Sequence, residues 1–267
     1  MSGKNRTPPS PILELRNVSK IYNRGGIPNR AVDGVSLKIS AGETVALVGE
    51  SGSGKTSVSR IALGLVRPDE GEVLLHGQSL LTMDKQTLRR KRLAMQPVFQ
   101  DSGAAFNPRR TIQQILDQAL DANPIQVADR YKRKVELLDS VRLSPGDDYL
   151  RRFPHELSGG QRQRLAIARA VAAGPELIVA DEPLSGADVT IRGQVLNLLI
   201  DLQLSNQLGY LFVTHDIAIA RAFAHRVVVM YKGRIVEEGP AEEVVGNPRH
   251  DYTKRLVASA FRFVDAA

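Results

Sequence analysis

Near the start of the chain, apolar and polar positions alternate or close on glycine in "LELRNVSKIY", "AVDGVSLKIS" and "GETVALVGES", a period that predicts half-buried strands. The period then lengthens. "TIQQILDQAL" and "VADRYKRKVELLDSV" space their apolar residues three and four apart, predicting an inserted helical block over roughly residues 106–157. Beyond it, strand-like "ELIVADE", helical "VTIRGQVLNLLIDLQ", strand-like "GYLFVTHD" and strand-like "HRVVVMYKGRIVEEG" follow in an order that predicts β-α-β units and a parallel sheet. Asn247-Pro248 opens a last helical segment, "DYTKRLVASAF". There is no internal repeat.

The 267 residues, 42% hydrophobic, suffice for one large α/β domain or a domain with an insertion. Cysteine is absent, which excludes disulfides, thiolate zinc sites and cysteine-ligated clusters, so any metal must sit on oxygen or histidine. The opening "MSGKNRTPPSPILEL" is polar and proline-rich and is read as a short tail rather than a secretory leader. No apolar run approaches the roughly 18–20 residues that span a bilayer. Thirty-six Lys and Arg stand against 29 Asp and Glu, a charge of +7. The excess gathers at Arg89, Arg90, Lys91 and Arg92, at Arg109 and Arg110, and at Arg151 and Arg152. These runs read as solvated faces, or as a surface near anionic lipid headgroups, and carry no interleaved aromatics for base stacking.

"VALVGESGSGKTSVSRIALGL" places a strand, a glycine-rich loop and an amphipathic helix in order, and Gly49, Gly54, Lys55 and Thr56 fill G-x-x-x-x-G-K-[ST]. The loop Gly49, Glu50, Ser51, Gly52, Ser53, Gly54, Lys55, Thr56, Ser57 is a phosphate cradle. Its N–H groups and the helix N-terminus face the anion, Lys55 reaches the β- and γ-phosphates, and the Thr56 hydroxyl can ligate Mg²⁺. Four apolar residues then deliver Asp181 and Glu182 to the end of a buried strand. Asp181 suits the Mg²⁺ shell, and Glu182 a water attacking the γ-phosphate. His215 ends the following strand and should emerge on the same sheet edge, facing the γ-phosphate. Gln100, in "PVFQD", is a polar candidate for Mg²⁺ or the attacking water.

In "LSGGQRQRLAIARA", Ser158 and Gln161 form a capping box, with Gly174-Pro175 as the helix stop. Gly159 and Gly160 leave the first-turn N–H groups open, making a second anion-binding helix end in a chain whose phosphates Lys55 already serves. With these residues the sequence resembles the ATP-binding subunits of ABC transporters over nearly its whole length. The resemblance implies a P-loop NTPase α/β fold: a RecA-like parallel-sheet core, an N-terminal antiparallel β subdomain and a helical subdomain over about 106–173. It implies an ATPase domain over 11–246, a tail over 1–10 and a C-terminal helical tail over 247–267. Tyr22 matches the aromatic that stacks on adenine, Gly49 to Thr56 the Walker A loop, and Gln100 the Q-loop. Leu157 to Gln161 matches the signature that contacts ATP held by the opposite subunit. Asp181 and Glu182 match Walker B and its catalytic glutamate, and His215 the switch histidine. The family usually has Ser-Ala-Leu-Asp where Ser185-Gly186-Ala187-Asp188 stands here, which puts cross-talk between the two sites in question.

"VFQDSGAAFNPRRTI" and "GNPRHDYTKRLVASA" resemble the importer ATPases for peptides, nickel and opines, with Asp251 in place of the usual proline. The end at Ala267, without a cysteine-bearing tail, resembles the compact nickel or opine type slightly more. The resemblance implies ATP and Mg²⁺ as cofactors, a related but different ATPase chain as mate, and two membrane permease subunits. It also implies an extracytoplasmic binding protein that selects the substrate, a peripheral place on the cytoplasmic face of the inner membrane, and no nucleic acid. The rival readings are a soluble ABC ATPase acting on nucleic acid or the ribosome, and a scaffold in a soluble enzyme complex. The transported substrate is not legible, because an energy-coupling subunit need never touch it.

Overall fold

A computed structural model describes residues 11–99, 106–122, 128–185 and 188–261. Its ten strands are β1 (Leu13–Arg24), β2 (Ile27–Ile39), β3 (Thr44–Val48), β4 (Glu70–Leu75), β5 (Gln78–Ser79), β6 (Met95–Phe99), β7 (Leu177–Asp181), β8 (Gly209–Thr214), β9 (Arg226–Tyr231) and β10 (Arg234–Pro240). Between and after them lie α1 (Lys55–Ala62), α2 (Lys85–Lys91), α3 (Ile112–Ala122), α4 (Arg130–Ser140), α5 (Asp147–Leu150), α6 (Gly159–Ala172), α7 (Val189–Asn206), α8 (Ile217–Phe223), α9 (Ala241–Gly246) and α10 (Asp251–Phe261). One sheet is antiparallel in the order β2-β1-β4-β5, and the other runs β10-β9-β3-β8-β7-β6. Every pairing in the second sheet is parallel except that of β10 with β9.

The continuous apolar strands are explained by burial on both faces. Along β7 and β8, Leu177, Val179, Leu211 and Val213 enter the core shared with the antiparallel sheet and α1. Their neighbours Ile178, Ala180, Tyr210 and Phe212 point the other way, into a core with α3, α4, α6 and α7. The helical block is therefore continuous with one face of the sheet rather than a separate globule. A third core joins β3 and β9 to α8, α9 and α10 through Ala46, Val229, Ile217, Val245, Tyr252 and Leu256. The segment after Asn247 is thus seated in the body of the fold.

Two stretches differ from the periodicity reading. "HRVVVMYKGRIVEEG" is a hairpin, β9 and β10, because Lys232 and Gly233 both adopt positive φ (47° and 84°), the geometry of a tight two-residue turn. The basic run at 89–92 closes α2, where Arg89 and Arg90 are exposed, but Arg92 donates to the Gly64 carbonyl and is half-buried. Helix α2 itself was not read from the sequence; its start is fixed by Asp84, which accepts from the N–H groups of Gln86 (2.9 Å) and Thr87 (3.0 Å).

Candidate functional site

Strand β3 ends in the middle of the parallel sheet, flanked by β8 and β9, and the glycine-rich loop leaves from its carboxyl end. Gly52 and Gly54 have φ of 81° and 108°, backbone that side chains rarely adopt. Two of the loop's glycines have no room to spare. A Cβ on Gly49 would collide with the Met230 carbonyl, and one on Gly54 with the Ala31 carbonyl of β2. Gly233 N donates to Ser53 O at 3.0 Å, so the β9–β10 turn clasps the same loop. Because Ala31 abuts Gly54, the β1–β2 hairpin stands over the loop, and it carries half-buried Tyr22 opposite Asn29.

Lys55 is only 5% exposed, and its ammonium donates to the carbonyls of Gly49 (2.7 Å) and Glu50 (2.9 Å). Burial lowers its pKa, and the facing carboxylates of Glu182, Asp181 and Glu50 oppose that shift. A cation held beside a cradle of backbone N–H groups is a phosphate anchor.

Asp181 ends β7 beside α1. Its Oδ2 accepts from Ser59 at 2.9 Å, while its buried Oδ1 has no hydrogen-bond partner among the described residues. Burial raises its pKa, against the lowering effect of the Ser59 and Thr56 hydroxyls. An unpartnered buried carboxylate oxygen close to a threonine hydroxyl fits a hard divalent cation, which oxygen ligands favour. Ser53 Oγ, in the loop, is likewise buried without a partner. Ser59 was not singled out from the sequence; its position one helical turn after Lys55, on the same face, was the available signal.

Glu182 follows with φ 52°, held there by its N–H donating to Val213 O at 2.9 Å. This left-handed residue turns the side chain toward the next strand, where Oε2 lies 2.7 Å from His215 Nδ1. The structure brings together the loop at 49–57, Asp181, Glu182 and His215 on one sheet edge. Gln100, with Gly186 and Ala187, lies outside the described residues. Asp188 caps α7, accepting from Ile191 N at 2.8 Å.

The Ser158 turn lies elsewhere. Ser158 N donates to Gln161 Oε1 at 2.9 Å and Gln161 N to Ser158 Oγ at 3.3 Å, a closed capping box. Gln161 also donates to Tyr149 Oη at 3.4 Å, so its side chain is engaged within the helical block. Ser158 and Gly159 are exposed, and a Cβ on Gly159 would meet open space. Among the described residues no hydrogen bond joins this turn to the phosphate loop.

One contact was invisible in the sequence. Glu50 N donates to Tyr252 Oη at 2.8 Å, linking the phosphate loop to α10. No periodicity or spacing reports a contact between positions so far apart.

Fold and site together define a P-loop nucleoside triphosphatase. A family model described as "ABC transporter" matches residues 32–185. The dipeptide transport ATP-binding protein DppF of Lactococcus lactis subsp. cremoris is 43% identical over 258 residues, 95% of this chain and 82% of that one. The glutathione import ATP-binding protein GsiA of Salmonella typhi is also 43% identical over 257 residues, 93% of this chain but 41% of that longer one. Among solved structures, the dimeric bacterial ABC transporter cassette MJ0796 superposes with a TM-score of 0.76 at 31% identity, covering 86% of this chain and 98% of that one. The same cassette in a post-hydrolysis state bound to ADP and Pi gives 0.75. The chain belongs to the ABC transporter family and is an ATP-binding subunit of the ATP-hydrolysing type.

Proposed function

We propose that this chain drives peptide import: it binds MgATP at the loop over 49–57, hydrolyses it within a closed pair of ATPase subunits, and transmits the closure to membrane permeases. The carrying observation is the division of the site. Lys55, Asp181, Glu182 and His215 converge on one sheet edge, while the open helix start at Ser158–Gly160 stands apart from them, with no hydrogen bond to the loop at 49–57 among the described residues. A mate of related sequence, packed head to tail, brings each helix start onto the other's triphosphate.

In this arrangement Tyr22 stacks on adenine, Lys55 and the loop N–H groups hold the β- and γ-phosphates, and Gly159 and Gly160 of one subunit reach the γ-phosphate in the other. Thr56 and Oδ1 of Asp181 would hold Mg²⁺, with Gln100 as the further ligand that the family resemblance implies, and the ion would neutralise charge on the phosphate oxygens. Glu182 accepts the proton of the attacking water, and His215 Nδ1 holds the Glu182 carboxylate in place. Loss of the γ-phosphate removes the cross-subunit contacts, and the pair opens. Shifting such a pair between about 1:99 and 99:1 closed takes roughly 5.5 kcal/mol, within reach of several charge-assisted phosphate contacts.

The family implies permease partners, and a cleft of about 500 Å³ between β6 and the helical block, lined by Leu93, Gln96, Asn107, Arg110, Gln118 and Ala119, suits them. Exposed Arg89 and Arg90 on α2 can face anionic headgroups of the membrane on which this peripheral subunit sits. Among the described residues no helix is long and apolar enough to cross a membrane. The names of DppF and GsiA favour dipeptide or glutathione-like peptides as cargo. The test is reconstitution with the copurifying membrane proteins: peptide uptake that needs ATP and stimulates hydrolysis supports the reading. Copurification of nucleic acid or a soluble enzyme complex instead contradicts it.

A further inference from the structure

The peptide that joins Gly49 to Glu50 is held at both of its polar ends by side chains. Its carbonyl, on Gly49, accepts from Lys55 Nζ at 2.7 Å, and its N–H, on Glu50, donates to Tyr252 Oη at 2.8 Å. Turning that peptide plane breaks both bonds together. Tyr252 is 2% exposed and stacks on Tyr231 with ring centres 4.2 Å apart, so packing restricts where its hydroxyl points.

Helix α10 is itself fixed at its start. The Glu237 carboxylate accepts from Arg249 N (2.8 Å) and His250 N (3.0 Å), and His250 Nδ1 accepts from Tyr252 N at 3.1 Å. Asp251 begins the helix with a negative charge at its positive end. Farther along, Leu256 enters the core shared with Ile217 and Ala220 of α8, the helix that follows His215. The C-terminal helix thus reaches the phosphate loop directly and the His215 segment through packing.

We infer that Tyr252 is a positioning residue for nucleotide binding: its hydroxyl sets the Gly49–Glu50 peptide in the orientation that presents Lys55 and the loop to a triphosphate. This rests on the reading of 49–57 as the ATP loop. Without the hydroxyl, the Glu50 N–H loses its partner in that orientation, which favours other loop conformations. The binding-competent fraction falls, and apparent affinity falls with it.

The experiment compares Tyr252→Phe, Tyr231→Phe and Lys55→Ala in the full chain by MgATP titration, and in the complete assembly by steady-state hydrolysis. Tyr252→Phe keeps the stacked ring; the Kd and KM for ATP should rise about fivefold to tenfold, with kcat within about twofold and the melting temperature within about 2 °C. Tyr231→Phe should change neither constant. Unchanged ATP affinity in Tyr252→Phe, or equal weakening in both tyrosine variants, overturns the inference while Lys55→Ala still abolishes binding. Full ATP binding by Lys55→Ala overturns the reading of the loop itself, and the inference with it.

Discussion

Glu182 Oε2 and His215 Nδ1 lie 2.7 Å apart across the ends of two adjacent parallel strands, one side chain turned there by a left-handed backbone and the other arriving from β8. The pair separates two roles that one residue cannot fill. In the proposed mechanism Glu182 takes the proton, and His215 keeps the carboxylate from swinging away. Glu182→Gln should therefore bind ATP normally, lower kcat by at least about 100-fold and accumulate the closed pair. His215→Ala should lower kcat with little change in ATP affinity. Single-turnover hydrolysis together with sedimentation in ATP checks both; rapid turnover in Glu182→Gln contradicts the assignment.

Asp181 carries stability and activity in opposite directions. Burial raises its pKa, so the folded chain keeps the proton longer than the unfolded one does. Its favourable contribution to stability is complete below the ordinary carboxylate value and is lost as pH rises through the raised one. In alkaline solution, above that raised value, the wild type has lost it. Asp181→Asn, which mimics the protonated acid, should then melt about 2–4 °C higher than wild type in the absence of nucleotide, a gain of about 1 kcal/mol. That gain should shrink on acidification, and Mg²⁺-dependent hydrolysis should disappear. A lower melting temperature in alkaline solution would show that the carboxylate is not strained by its burial.

Gly54 is set by sterics and not only by phosphate. Its φ of 108° and the Ala31 carbonyl leave no room for a methyl group. Gly54→Ala should cost at least about 2 kcal/mol of stability, visible in chemical denaturation, and weaken ATP binding as well. Gly159→Ala meets open space and should leave stability within about 0.5 kcal/mol, since Ala is the better helix former.

Glu237 anchors α10, and its pH dependence has the opposite sign to that of Asp181. Burial pushes its pKa up, but the nearby Thr253 hydroxyl and the hydrogen bonds from Arg249 N and His250 N outweigh that and leave it lowered. Its contribution is present above the ordinary carboxylate value and is lost as pH falls through the lowered one. Glu237→Ala should destabilise by about 1–2 kcal/mol at neutral pH, with the difference closing in acid, as denaturant titrations across pH can show. An equal difference at all pH values would mean that packing, not charge, is what Glu237 supplies.

The legible parts of this protein were those whose cause is local. The loop from Gly49 to Ser57 requires glycines and a lysine at fixed spacing, and Asp181 and Glu182 follow a run of buried β residues, so both stand out in one dimension. The Ser158 capping box formed as its spacing dictates. What remained hidden depends on contacts across the fold. The Ala31 carbonyl that forces Gly54, the Ser59 hydroxyl on Asp181 and Tyr252 on the phosphate loop come from segments that meet only when the two sheets and α10 pack. The Lys232-Gly233 turn was obscured because one apolar pattern runs through both strands of the hairpin.

The central claim is that one subunit's Ser158–Gly160 helix start completes the other's triphosphate site. It is tested most directly by substituting Gly159→Asp and measuring steady-state ATP hydrolysis of the complete assembly beside MgATP binding to the isolated chain. The account predicts unchanged binding, because the chain's own phosphate loop is intact, and loss of at least about 100-fold in hydrolysis, because a carboxylate now faces the γ-phosphate. Hydrolysis at the wild-type rate, or a monomeric chain turning over as fast as the assembly, would contradict it.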